Sequence, residues 1–229
     1  MYKKDVTDVF FDLDHTLWDF DKNSMLAFER VLFKHKIEVN LKEFIEIYEP
    51  INFNYWKLFR EDKVNKLNLR RGRLIDTFSE LNMKFDLLEI DQMAETYIDE
   101  LPVNNHLFQD AELILSYLNE RYFLHIITNG FDEVQRLKLE KSGIKKYFTT
   151  ITTSEEIGVK KPNPLIFSAA VKKAKTHVKS SIMIGDSFEA DILGAENAGM
   201  KTILYNYRNE SVPANFNIID DLIELKRYL

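Results

Sequence analysis

The chain predicts an α/β fold: a Rossmann-like parallel sheet with helices on both faces, interrupted after its first strand by an inserted all-α domain. Three observations carry this. Short, nearly continuous apolar runs recur along the chain, the later ones alternate with helical stretches, and one long segment shows helical periodicity with almost no strand signal. Uninterrupted apolar strands separated by helices are what a sheet covered on both faces requires.

The first strand is VFFD at 9–12. Helical periodicity then fills 23–36, 41–60, 71–81 and 89–101, and Pro50 is expected to kink or break the second of these helices. Strands return after about Leu107 as FLHIIT (123–128), TTIT (149–152), SIMIGD (181–186) and KTILYNY (201–207). Helices are expected between them at 132–142, 163–175 and 189–198, with Gly143 and Gly199 where C-terminal caps fall. The expected domains are 1–18 with 106–229 as the α/β core, and 19–105 as the helical insertion. No internal repeat or low-complexity tract is present.

Bulk composition narrows the function. At 229 residues and 45% hydrophobic content the chain can bury a sizeable core. A net charge of −6 gives no basic footprint for a nucleic-acid polymer. The absence of cysteine excludes disulfides, thiolate metal sites and a cysteine nucleophile. Acidic residues within the first few positions leave no room for a secretion signal, and no apolar run approaches the roughly 18 residues that span a bilayer. The expectation is a soluble, cytoplasmic protein, monomeric or homodimeric, with no membrane partner.

Polar residues collect at strand ends. The first strand runs into Asp12-Leu13-Asp14-His15-Thr16, the second into Thr128-Asn129-Gly130, and the fourth into Gly185-Asp186-Ser187. Open parallel sheets bind ligands beyond the carboxyl ends of their strands, where strand order reverses. Aspartates after a strand also suit a plain turn. Two carboxylates about 4 Å apart, however, repel by a few kcal/mol at an effective dielectric near 20. If Asp186 converges on Asp12 and Asp14, the cluster needs a cation. Oxygen-only ligands favour a hard ion such as Mg²⁺, and Mg²⁺ on carboxylates usually accompanies phosphate chemistry.

At these residues the sequence resembles the haloacid dehalogenase superfamily of phosphotransferases. Asp12-Leu13-Asp14-His15-Thr16 is similar to its DxDxT motif, Thr128 to its second motif, and Lys161 in GVKKPNP to its third, the following proline choosing Lys161 over Lys160. Gly185-Asp186-Ser187 followed by Asp191 resembles the fourth. The resemblance implies that Asp12 is a nucleophile forming an aspartyl-phosphate and that Asp14 is a general acid and base. It implies Mg²⁺ held by Asp12, the Asp14 backbone carbonyl and Asp186, phosphoryl oxygens bound by Thr128 and Lys161, and Ser187 and Asp191 in support. The insertion resembles the helical cap of subgroup C1, with a hinge at 17–21. Dehalogenases of the superfamily lack the second aspartate and its ion pumps carry threonine there, so Asp14 favours a phosphatase or a phosphomutase.

FFDLDHTLWDF, IITNGFDEVQ, SEEIGVKKPNPLIF and GDSFEADILGAENAG together look like the pyrimidine 5′-nucleotidases of this superfamily. That implies a small phosphomonoester substrate, a pyrimidine nucleoside monophosphate. One departure is Ala190, where Ser or Asn is common. Alternatives are a sugar-phosphate phosphatase resembling those for acylneuraminate 9-phosphate, a phosphomutase, and a non-enzymatic phosphate-binding module; the complete motifs argue against the last.

Other candidates have plainer readings. Arg70-Arg71-Gly72-Arg73 could meet an anion but is expected to be a helix-start surface cluster paired with acids. Tyr55, Trp56 and Phe59 have the spacing of a helical core stripe. His125 reads as a packed strand residue, His15 as variable, and His35, His106 and His177 share no ligand spacing. Asn129 is a substrate-binding candidate through its backbone amide beside Thr128, with Gly130 as permissive backbone.

Overall fold

The structure, a computed structural model, describes Tyr2 and residues 5–229. In chain order the elements are β1 (Asp8–Phe11), the helices α1 (Phe20–Lys34), α2 (Leu41–Arg60), α3 (Lys66–Glu80) and α4 (Leu87–Glu100), then α5 (Ala111–Asn119), β2 (Phe123–Thr128) and α6 (Asp132–Lys141). They continue with β3 (Phe148–Thr153), α7 (Ser154–Ile157), α8 (Pro164–Ala174), β4 (Ser181–Gly185), a π-helical stretch Phe188–Leu193 leading into α9 (Gly194–Asn197), β5 (Lys201–Tyr205) and β6 (Ile218–Ile219). The chain forms two compact units, one from the N-terminal residues through Phe20 together with Asn105–Leu229, the other Asp21–Asn104.

The first unit is an α/β layer structure around a six-stranded sheet of order β3-β2-β1-β4-β5-β6, parallel throughout. β1 is central: Phe11 is level with Ile126 on one side and Ile184 on the other. The chain moves outward from β1 through β2 to β3, then crosses back to β4 on the opposite side. Strand order therefore reverses at β1 and β4, and the crevice at their carboxyl ends is the place such sheets bind ligands. All four residues of β1 and all five of β4 are buried, which explains the apolar runs that follow Asp8 and Ser181 at their starts. One face is closed by Phe10, Ile127 and Met183 against Ile166, Phe167, Ala170 and Val171 of α8, with Ala195 and Met200.

Three elements go beyond the sequence reading, among them the four-residue α7. β6 is only two residues long, too short to show a period, and α5 precedes β2 without having been singled out. The segments that leave and re-enter this unit pair with each other: the Phe108 amide donates to the Leu17 carbonyl and the Asp19 amide to that of His106.

The second unit is all-helical. Its helices start where short polar side chains accept from the first turn: Asn40 from Glu43, Asn65 from Asn68, and Asp86 from Glu89 in a reciprocal capping box. Its core is aromatic, with Phe28 packed 4.4 Å from both Tyr48 and Tyr97 and 4.8 Å from Phe44, ring centre to ring centre. Pro50 does not break α2, contrary to expectation. Pro50 and Glu46, whose carbonyl loses its donor, both lie on the exposed face, where that carbonyl is open to solvent and need not be left unsatisfied. No helix among the described residues is long and apolar enough to cross a membrane.

His125 illustrates how the sheet tolerates polar groups. Fully buried and stacked on Phe10, it bonds Asp8 through Nε2 at 3.0 Å and Thr150 through Nδ1 at 2.8 Å. Burial pushes its pKa below the ordinary value despite Asp8, so the imidazole is neutral and donates to the carboxylate. The unfolded imidazole takes up a proton near pH 6.5 (about the model-peptide value) and the folded one only at lower pH. The unfolded chain then binds more protons, so the contribution of this group is complete above that pH and is lost as pH falls through it. His125→Leu is expected to cost about 1–3 kcal/mol in urea denaturation at neutral pH, and to flatten the loss of stability just below pH 6.5.

Candidate active site

The carboxyl ends of β1, β2 and β4 bring three acids and a lysine together. Asp12 follows β1 directly, its amide donating to Ile184 of β4 at 2.9 Å, and its side chain is buried. Lys161, from the loop between α7 and α8, places its buried ammonium 2.5 Å from Asp12 Oδ1, 2.6 Å from Asp191 Oδ1 and 2.9 Å from the Ile127 carbonyl. Those three bonds use all three ammonium hydrogens. Asn129 fixes the lysine by a reciprocal pair: its Oδ1 accepts from the Lys161 amide at 2.8 Å, and its Nδ2 donates to the Lys161 carbonyl at 3.0 Å.

Asp191 is delivered by the π-helical stretch. The Ser187 hydroxyl caps it by accepting from Ala190, and the Ile192 amide reaches back five residues to the Ser187 carbonyl. Asp191 Oδ2 accepts from the Ser187 amide at 3.0 Å. Gly185 makes room for this: a Cβ there would sit 2.3 Å from Asp191 Oδ2. Asp186 completes the group and accepts from the buried Thr16 hydroxyl at 3.3 Å.

Ligand oxygens of Asp12, Asp186 and Asp191 all lie within 4.8 Å of one another. At an effective dielectric near 20 each pair of ionised carboxylates then repels by about 3–4 kcal/mol. Burial, with Asp191 and Asp14 adding to it against the pull of Lys161, pushes the Asp12 carboxyl up to about 7. Asp186 is driven well above its ordinary value by burial and by its acidic neighbours Asp191 and Asp12. Burial opposes the charge on Lys161, but Asp12 and Asp191 outweigh it and hold its pKa above the ordinary value. Three carboxylates against one ammonium leave excess negative charge, and a donor set made only of oxygens fits a hard divalent cation.

Asp14 is separate. Its side chain turns to α6, where Lys138 Nζ meets Oδ1 at 2.6 Å and Gln135 Nε2 meets Oδ2 at 3.0 Å. The Gln135 amide nitrogen also donates to Thr128 Oγ1 at 2.7 Å, and the Gly130 amide does so at 3.1 Å. With both lone pairs taken, the Thr128 hydroxyl has only its hydrogen to offer a ligand. A Cβ on Gly130 would lie 2.4 Å from the Gln135 side chain, which is why glycine stands there.

Residues 9–205 match the family model described as haloacid dehalogenase-like hydrolase. The chain belongs to that family. It is accordingly an enzyme of the hydrolase class. Among curated relatives it is similar to pyrimidine 5′-nucleotidase YjjG of Escherichia coli, 31% identical over 90% of this chain and 88% of that one. It is similar as well to pyrimidine 5′-nucleotidase PynA of Streptococcus pneumoniae, 34% identical over 86% and 82%. A glyceraldehyde 3-phosphate phosphatase of Methanothermobacter thermautotrophicus is 30% identical over 96% and 98%. Among solved structures, the putative hydrolase YfnB of Bacillus subtilis, described as bound to magnesium, superposes with a TM-score of 0.89 at 26% identity, covering 98% of this chain and 99% of that one.

The structure thus gathers Asp12, Asp14, Thr128, Asn129, Lys161, Asp186, Ser187 and Asp191 at the carboxyl end of the sheet. Asn129 holds Lys161 with its side chain, and Asp191 joins the acidic cluster itself instead of standing behind it. Gln135 and Lys138 were not anticipated. Their only signal was a pair of long polar residues three apart on the helix face that also buries Val134 and Leu139. Lys138 is 2% exposed, with Nζ 4.2 Å from the centre of the Trp18 ring system.

The basic cluster of the second unit differs from expectation. It lies within α3, not at its start. Arg71 does pair with Asp91, through two bonds of 2.5 Å, but Arg73 is buried, donating to Asn52 at 2.9 Å with its guanidinium 4.9 Å from the Tyr97 ring centre. An arginine there is core, its charge spread over aromatic faces. Of the expected aromatic stripe only Phe59 is buried, edge-on to Trp56; Trp56 and Tyr55 are half-buried, and the Tyr55 hydroxyl donates to Asp76 at 2.7 Å.

Gly185→Ala is expected to push Asp191 off Lys161. Thermal denaturation should show a loss of about 1–3 kcal/mol, the usual scale of overpacking, and Mg²⁺ binding followed by calorimetry should weaken.

Proposed function

We propose that this protein is a Mg²⁺-dependent phosphatase that hydrolyses small phosphomonoesters through an aspartyl-phosphate on Asp12, with pyrimidine nucleoside monophosphates as its substrates. The observation that carries the reading is the divergence of two carboxylates one residue apart. Asp12 points into a buried acid cluster against Lys161, while Asp14 is held outside it by Lys138 and Gln135. Two environments give two roles, nucleophile and proton carrier.

Asp12 and Asp186, with the Asp14 backbone carbonyl, would hold Mg²⁺, and Asp191 would keep Lys161 beside them. When bound, the ion supplies positive charge that favours ionised carboxylates and orients a phosphoryl oxygen. In the first half-reaction an Asp12 oxygen attacks phosphorus and the bond to the leaving oxygen breaks, its electron pair staying on that oxygen, which takes a proton from Asp14. In the second, water attacks the same phosphorus and gives a proton to Asp14, and the bond to Asp12 breaks to release phosphate. Thr128 donates its remaining hydrogen to a phosphoryl oxygen, and Lys161 meets another by exchanging one of its three bonds.

The substrate class is supported by the overall similarity to the two pyrimidine 5′-nucleotidases. A sugar-phosphate phosphatase is the second reading, favoured by the similarity to the glyceraldehyde 3-phosphate phosphatase. The test is phosphate release from a panel of UMP, dUMP, dTMP, AMP, glyceraldehyde 3-phosphate and other sugar phosphates. Pyrimidine monophosphates are expected to be preferred. Asp12→Asn should reduce release to background, and a chelator should stop it until Mg²⁺ is restored. Activity confined to sugar phosphates would overturn the substrate, and isomerisation without net phosphate release would make the enzyme a mutase.

A further inference from the structure

Lys138 and Gln135 have no part in the four motifs, yet they hold both oxygens of Asp14. We propose that they are positioning residues. Resting on the phosphatase reading above, they clamp the Asp14 carboxylate towards the leaving-group oxygen and away from the acid cluster, so that it can pass a proton in each half-reaction.

Asp14 has a reason to need restraint. It is a flexible side chain one residue from Asp12, and an opposing carboxylate cluster without its cation repels it while the cation attracts it. Either response would take it off the leaving group. The clamp removes both freedoms. Lys138 Nζ binds Oδ1 at 2.6 Å and Gln135 Nε2 binds Oδ2 at 3.0 Å, from positions i and i+3 of α6, which project from one face of the helix.

Each jaw is itself fixed. Lys138 is buried against the Trp18 ring, and Trp18 is in turn held by an indole N–H bond of 3.2 Å to Asn105. Gln135 is fully buried. Its amide nitrogen faces Asp14 Oδ2, and the same nitrogen donates to Thr128 Oγ1 at 2.7 Å. The cost of that orientation is visible: Gln135 Oε1 is buried without a hydrogen-bond partner among the described residues. A side chain selected for stability alone would not leave that acceptor unmet. The absence of a side chain at Gly130 admits the amide. The carboxylate oxygens retain further lone pairs, so the clamp leaves room for the transferred proton. Through Gln135 the proton carrier and the phosphoryl-binding hydroxyl share one scaffold.

The clamp should be felt only when the leaving group needs a proton. The experiment measures kcat/KM, which reports the step up to cleavage of the ester, for aryl phosphates of rising leaving-group basicity: 4-nitrophenyl, phenyl and 4-methoxyphenyl phosphate. For Lys138→Met, a loss of at most about 3-fold is expected with 4-nitrophenyl phosphate, and one on the order of 100-fold with 4-methoxyphenyl phosphate, the usual scale of general acid catalysis. kcat should fall with every substrate, because water activation also uses Asp14. Gln135→Leu should steepen the dependence in the same direction and carries the test if Lys138→Met fails to fold, which thermal denaturation would show. In an Asp14→Asn background, where no proton can be passed, Lys138→Met should add less than about 3-fold. A loss equal for all leaving groups would overturn the clamp and leave a structural role. A wild-type enzyme releasing phosphate neither from this series nor from the nucleotide and sugar-phosphate panel would overturn the phosphatase reading itself.

Discussion

The site depends on one ammonium group. Lys161 stands between Asp12 and Asp191 with its third hydrogen on the Ile127 carbonyl, and it is the cation that the hydrogen-bond network places inside a cluster of three acids. Remove it and the carboxylates face one another across less than 5 Å in a buried crevice, an arrangement that costs several kcal/mol before any ligand arrives. The surrounding loops serve this placement. Asn129 grips the lysine backbone, Gly185 yields space to Asp191, and the π-helical turn aims Asp191 at the ammonium.

The sheet makes the crowding possible. A central β1 flanked by β2 and β4 delivers three strand ends to one level, and the reversal of strand order leaves a crevice beside them. Residual negative charge is then a property of the fold. It prepares the crevice for a hard cation, and burial, with the acidic neighbours adding to it, pushes the Asp12 carboxyl up to about 7. The Asp14 side chain is handed to α6 instead, on Lys138 and Gln135.

Much of this could be read from the chain because strand interiors and strand ends have opposite chemistry. Asp12, Asp14, Thr128 and Asp186 each end or follow an apolar run, and Lys161 is marked by the proline after it. Other features leave little trace in sequence. Gln135 and Lys138 sit in a helix whose mean character is polar, so their burial depends on what α6 packs against. Arg73 looked like surface charge because burial of a guanidinium depends on aromatic partners from other helices, Tyr48 and Tyr97, distant in sequence. The continuation of α2 through Pro50 depends on the exposure of one carbonyl, and β6 is shorter than any periodic signal. Misread elements are those decided by tertiary neighbours, and correctly read ones those decided locally.

The most direct test of this account is to trap the covalent enzyme. Wild-type protein mixed with 4-nitrophenyl phosphate and Mg²⁺ would be quenched in acid within one turnover, digested, and the peptides weighed by mass spectrometry. The account requires one added phosphoryl group on the peptide carrying Asp12, localised to that residue and absent in Asp12→Asn. Phosphate release during the same turnover with no phosphorylated peptide at any quench time would contradict it, since water would then be attacking the ester without Asp12 as nucleophile.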